Sequence, residues 1–126
     1  MYHERRSGTV YSGTGAKKVK NRDKIKAHFG RDRILTKLDT KEERKIVRTK
    51  GGGTKVKLKR ALYVNLATKD GKVVRTEIVK VLESNTPNET RSNIITKGTI
   101  IEVKGYGKAR VTSRPNQDGM INAIQL

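Results

Sequence analysis

The stretch Thr54-Lys55-Val56-Lys57-Leu58-Lys59-Arg60-Ala61-Leu62-Tyr63-Val64-Asn65-Leu66 decides the fold. Val56, Leu58, Leu62, Val64 and Leu66 recur every second residue and fall on one face of a strand, with Lys55, Lys57, Lys59, Ala61 and Tyr63 on the other. A strand with one apolar and one cationic face lines a core on one side and meets solvent or a polyanion on the other. Downstream, Asp70-Gly71 is a short hairpin signal, and the Val- and Ile-rich residues 73–82 read as the return strand. Asn85-Thr86-Pro87-Asn88-Glu89 reads as a turn or loop. Residues 99–104, 108–113 and 120–126 read as three further short strands, separated by Gly105-Tyr106-Gly107 and Pro115-Asn116-Gln117-Asp118-Gly119. Short strands with turns between them predict an all-β fold, a small antiparallel β-barrel, whose closure removes exposed strand edges.

Upstream the pattern changes. Residues 1 to about 38 are poor in apolar side chains and begin Gly- and Ser-rich, with Gly8, Gly13 and Gly15 among Ser7, Thr9, Ser12 and Thr14. Such a segment buries too little to offset an ordering entropy of ~1–2 kcal/mol per residue, so alone it is expected to be disordered. Thr40 with Glu43, or Asp39 with Glu42, has capping-box spacing, which predicts a short helical turn within residues 35–44. The division expected is a basic, extended segment over residues 1–43 and a β-barrel domain over residues 44–126.

Thirty Lys and Arg against twelve Asp and Glu give a net charge of +18. The excess is uneven: residues 1–60 hold 20 basic and 6 acidic groups, and residues 61–126 hold 10 and 6. A chain so charged repels itself when compact and calls for a polyanion, nucleic acid before an anionic membrane. No apolar run approaches the ~20 residues of a spanning helix. No basic stretch carries the apolar face of an interfacial helix. The opening Met1-Tyr2-His3-Glu4-Arg5-Arg6-Ser7-Gly8 lacks the apolar core of a secretion signal. A cytoplasmic protein without a membrane partner is expected, and the lack of Cys suits reducing cytosol.

The candidate sites follow the charge. Lys55, Lys57 and Lys59 form a row about 7 Å apart at a strand rise of ~3.4 Å per residue, a spacing suited to successive phosphates. Arg48, Lys50 and Arg60 are close in sequence, and Gly51-Gly52-Gly53 would let backbone amides approach a phosphate. In the extension, Arg5, Arg6, Lys17, Lys18, Lys20, Arg22, Lys24, Lys26, Arg31 and Arg33 are further candidates. Arg91, Lys97, Lys108, Arg110 and Arg114 are open to two readings, RNA contact or plain solvation. The five aromatics, Tyr2, Tyr11, Phe29, Tyr63 and Tyr106, are too few for a base-stacking sheet, so recognition is expected to rest on backbone and shape. Tyr63, beside the lysine row, could stack on one base or pack internally.

Catalysis finds no support, and the chain is not expected to be an enzyme. His3 and His28 stand in the polar extension without acidic partners at ligand spacing, so no metal or cofactor is expected. Asp39, Glu42 and Glu43 read as local counterions. Gly13-Thr14-Gly15 lacks the third glycine of a dinucleotide site. A free small-barrel RNA-binding factor, a chaperone or translation factor, is the alternative function, and a DNA-compacting protein another.

Three segments carry a family resemblance: Asn93-Ile94-Ile95-Thr96-Lys97-Gly98-Thr99-Ile100-Ile101-Glu102, then Gly107-Lys108-Ala109-Arg110-Val111-Thr112-Ser113-Arg114-Pro115, then Gln117-Asp118-Gly119-Met120-Ile121-Asn122-Ala123. Together they resemble the closing signature of the eighth small-subunit ribosomal protein of the archaeal and eukaryotic series, the S-eight-e family. Upstream, Arg48-Thr49-Lys50-Gly51-Gly52 followed by Lys55-Val56-Lys57 resembles its Arg-Thr-Arg-Gly-Gly segment. The resemblance covers Ile46 to the C-terminus, and the short chain is similar to the archaeal form. Asn116 stands where the family usually has Gly, and Gly53 where Asn is common. The resemblance implies a structural constituent of the small ribosomal subunit: a β-barrel with a basic extension that binds ribosomal RNA among neighbouring ribosomal proteins, without forming a homo-oligomer. Carried over by position, the implied contacts are Arg48, Lys50, Lys55, Lys57, Lys97, Lys108, Arg110 and Arg114.

Overall fold

A computed structural model describes Gly30 and residues 32–126; the expectations for residues 1–29 and for Arg31 lie outside the described residues. The chain divides into two units, Met1–Arg33 and Ile34–Leu126. Residues 34–43, which the sequence reading assigns to the extension, thus belong to the compact unit.

Within that unit, β4 (Tyr63–Ala67), β5 (Val73–Glu83), β6 (Ile100–Val103), β7 (Gly107–Val111) and β8 (Asn122–Gln125) close into a five-stranded barrel. Neighbours pair antiparallel from β4 through β8, and the barrel closes through a parallel pair in which Asn65, Leu66 and Ala67 of β4 oppose Asn122, Ala123 and Ile124 of β8. The all-β barrel is therefore as expected, with its closing seam parallel. Alternation sends Val64, Leu66, Ile78, Val81, Ile101, Val103, Ala109, Val111 and Ala123 inward to one core. The Thr68–Lys72 turn carries the expected Gly71 in the left-handed region, φ +78°.

A smaller three-stranded sheet stands beside the barrel, in the order β1 (Lys37–Leu38), β3 (Thr54–Ala61), β2 (Glu43–Arg48). Residues 54–66 are thus not one strand. Asp39 N–H donates to the Ala61 carbonyl at 2.9 Å on the sheet side, while Ile78 N–H donates to the Leu62 carbonyl at 2.8 Å on the barrel side. Where the chain passes from sheet to barrel the period of two slips. Ala61, expected among the lysines, is fully buried, and Leu62 is only half-buried.

No helical turn forms over residues 35–44. The backbone there is committed to pairing: Lys37 and Leu38 lie parallel to Arg60 and Ala61, and Thr36 Oγ1 donates to the Leu58 carbonyl at 2.7 Å. A side-chain N-cap occurs elsewhere, at Thr86, three residues before Glu89. There Thr86 Oγ1 accepts from Glu89 N–H at 3.3 Å and Pro87 opens the short helix α1 (Pro87–Arg91). A second short helix, α2 (Pro115–Asp118), ends on Gly119 at φ +72°. The sequence pattern predicts loops at both places, since a single helical turn carries no periodic apolar face.

Gly119 is held by two constraints. Its φ disfavours any Cβ, and a Cβ built there would meet Val56 Cγ1 at 2.9 Å and the Val56 carbonyl oxygen at 3.1 Å. Gly119→Ala is expected to lower stability by about 2–3 kcal/mol, and adding Val56→Ala should restore only part of it, because φ and the carbonyl remain. Thr76 Oγ1 is buried without a hydrogen-bond partner, so Thr76→Val should raise stability by about 1 kcal/mol. Urea unfolding of the full chain reads all three.

Candidate nucleic-acid interface

The β2–β3 hairpin carries the first group of candidates. Its register sets Lys45 against Lys57, Val47 against Lys55 and Arg48 against Thr54, so the Lys55, Lys57, Lys59 row lies on one face with Lys45 beside it. Lys45 escaped the sequence reading because only the register brings it to Lys57. The hairpin tip is Lys50-Gly51-Gly52, with Gly51 and Gly52 at φ +88° and +85° and open space around both. Thr49 N–H donates to the Gly53 carbonyl at 2.7 Å and closes the turn.

The row is not uniformly available to a polyanion. Lys59 Nζ donates to Glu43 Oε1 at 2.9 Å, and Arg60 reaches Asp39 Oδ2 at 2.8 Å and Glu43 Oε2 at 3.3 Å. Lys55 Nζ donates to the neutral Gln117 side chain at 3.3 Å and keeps its full charge. The near end of the row is thus half-neutralised within the fold and the far end is not. The Thr40 backbone N–H, with the Arg60 guanidinium behind it, holds the Asp39 carboxyl below the usual carboxylate range; the Lys59 ammonium hydrogen bond does the same for Glu43.

A second group gathers at one end of the barrel. Gly98 N–H donates to the Val111 carbonyl at 2.8 Å, which brings the Lys97 turn to the end of β7, and Arg114 follows shortly as the residue before α2. The Lys55–Gln117 bond joins α2 to the hairpin, so this group is continuous with the first. Arg91 is exposed at the end of α1. Lys108 and Arg110 instead alternate along the outer face of β7, where Glu102 opposes Lys108 and Ile124 opposes Arg110. Arg33 is exposed but lies in the first unit, and the other extension candidates lie outside the described residues.

The sequence reading also missed Arg44 and Arg75. Arg75 of β5 lies diagonally across from Tyr63 of β4, with its guanidinium carbon 4.5 Å from the ring centroid. Of the two roles open to Tyr63, the ring thus has a cationic partner on one face. Among the described residues no cluster of His, Asp and Glu could hold a metal, and no helix is long and apolar enough to cross a membrane.

The profile of the family described as ribosomal protein S8e matches residues 5–126. The small ribosomal subunit protein eS8 of Staphylothermus marinus is 46% identical over 115 residues, covering 90% of this chain and 89% of that protein. That of Methanobrevibacter smithii is 46% identical over 117 residues, covering 90% of each, and that of Sulfolobus acidocaldarius is 44% identical over 115 residues, covering 90% and 89%.

Acid titration reads the half-neutralised corner. A carboxyl whose folded pKa is depressed stabilises the fold above its unfolded pKa, and that contribution is lost as pH falls through the folded value. Asp39→Asn with Glu43→Gln should therefore unfold more easily than wild type at pH 6. The difference should begin to shrink as pH falls through about 4, the ordinary carboxylate range, and vanish below the depressed folded values; it should also shrink in 1 M salt because both groups reach solvent. Thermal unfolding from pH 6 to pH 2 checks this; a gap that persists at pH 2 would contradict it.

Proposed function

The chain belongs to the ribosomal protein S8e family, and from that membership we propose that it is a structural constituent of the small ribosomal subunit that binds ribosomal RNA through the phosphate backbone. The family is structural and not enzymatic, and its place is the ribosome. The observation that carries the RNA reading is the cationic far end of the hairpin, continuous with the loops at one end of the barrel. Lys45, Arg48, Lys50, Lys55 and Lys57 lie on the hairpin, and Lys97 and Arg114 lie on the loops.

The mechanism is charge neutralisation with release of counterions from the RNA. The compact unit carries twenty basic and nine acidic groups, and residues 1–33 carry ten and three. Each phosphate neutralised steepens the fall of log affinity with log salt by about 0.7–0.9. Cations already paired inside the protein release less, because they exchange one carboxylate for a phosphate. On this reading Lys59 and Arg60 contribute less than Lys57 and Lys55, although they stand in the same row. Lys108, Arg110 and Arg91 form a second, outlying set of contacts.

Binding of the full chain to archaeal small-subunit RNA, titrated across salt, tests this. Replacing Lys45, Lys57, Lys97 and Arg114 together with Gln should lower the slope by about 3. Replacing Lys59 and Arg60 should change it by much less than the ~1.4–1.8 expected of two free cations. Equal losses per residue in the two variants would contradict the role given to Asp39 and Glu43, and an unchanged slope in the first would overturn the interface.

A further inference from the structure

A niche of about 180 Å³ opens where the hairpin sheet meets the outer wall of the barrel. Glu42 enters it from just before β2, Arg44 from β2, Tyr63 and Asn65 from β4, Arg75 from β5, and Met120 from the loop before β8. Glu42 Oε1 accepts from Arg44 at 3.0 Å, and its Oε2 lies 3.6 Å from Arg75. The carboxylate is the most sheltered of the three, with 20% of its side chain exposed against 50% for Arg44 and 59% for Arg75. Glu42 thus holds two guanidinium groups in place, and Arg75 is in addition seated over the Tyr63 ring.

We propose that this niche receives one unpaired base of the RNA, stacked on the exposed side of the Arg75 guanidinium, so that base, guanidinium and Tyr63 ring form a three-layer stack. The inference rests on the RNA-binding reading and adds a base contact to it. Three features favour a base over other occupants. A guanidinium already supported on an aromatic ring is a fixed planar platform, the surface on which unstacked RNA bases settle. The volume is below the ~300–1,000 Å³ of sites that enclose larger ligands, and suits one flat ring. The Glu42 carboxylate already occupies a hydrogen-bonding edge of Arg44 and faces Arg75, which leaves the flat face of Arg75, the surface a neutral ring uses, as the larger open contact. Asn65, whose Nδ2 donates to Asn122 Oδ1 at 3.0 Å, is held with its carbonyl oxygen available to a base edge.

The test binds the full chain to archaeal small-subunit RNA and reads two footprints. Dimethyl sulfate with carbodiimide reports base reactivity, and hydroxyl-radical cleavage reports the backbone. Wild type should protect an unpaired base inside the backbone footprint. Arg75→Ala and Arg75→Lys should both expose that base and weaken binding roughly 10-fold, within the range of a lost base stack, while the rest of the backbone footprint stays. Arg75→Lys keeps the charge and loses the plane, so it separates stacking from phosphate contact. Wild-type affinity and base protection in Arg75→Lys would overturn the inference, as would a backbone footprint whose base reactivities do not respond to either variant. Protection that appears only after other ribosomal proteins are added would assign the niche to a protein side chain and overturn it too. Absence of any footprint for wild type would instead overturn the RNA reading beneath it.

Discussion

The parallel pairing of β4 with β8 is the constraint from which the rest of the unit follows. It closes the barrel, so that Leu66 and Ala123 bury their side chains side by side and no barrel strand is left with an open edge. Between β3 and β4 the chain passes from one sheet to the other: the Ala61 carbonyl pairs on the sheet side and the Leu62 carbonyl on the barrel side. The segment Ile34–Leu38 then laces the sheet down: Thr36 is tied to Leu58 and to Ile95, Leu38 to Asn93, and the Asn116 amide to the Ile34 carbonyl at 3.0 Å. Asn116 stands where the family usually has Gly, and here its side chain makes that tether, with its carbonyl oxygen buried and unpartnered.

This scaffold sorts the charge. A +18 chain repels itself, and the fold meets the problem in two ways. Asp39, Glu42 and Glu43 fall at the turn into the hairpin, where they pair Lys59, Arg60, Arg44 and Arg75. Among the described residues, Lys104 pairs Glu77, and other cations stand on the hairpin tip, the barrel loops and the outer face of β7. Exposed ion pairs of this kind add little to stability, about 0–1 kcal/mol each. Their larger effect is to decide which cations are oriented within the protein and which are left for a polyanion.

The barrel was legible because its strands alternate cleanly and its turns carry Asp70-Gly71 and Gly105-Tyr106-Gly107. The strand break at Ala61–Leu62 was not, since both residues fit an apolar or small position on either face and only the pairing of their carbonyls separates them. The capping-box pattern was read at Thr40–Glu43, where strand pairing overrides it. The equivalent pattern at Thr86–Glu89 went unread, although Pro87 marks the first helical position. The lysine row was visible by periodicity, whereas Lys45 and the Arg44–Glu42–Arg75–Tyr63 cluster depend on register and long-range closure. Of the carboxylates read as local counterions, only Glu42 pairs a cation nearby in sequence, Arg44; the other pairs reach Lys59, Arg60 and Arg75 across the fold, which spacing does not show.

A density map of the archaeal small subunit containing this chain tests the central claim most directly. The account places phosphate oxygens within hydrogen-bonding distance of Lys45, Lys57, Lys97 and Arg114, with Lys59 and Arg60 still turned to Glu43 and Asp39. A map in which the hairpin tip and the Lys97 and Arg114 loops face solvent, while RNA lies elsewhere on the barrel, would contradict it.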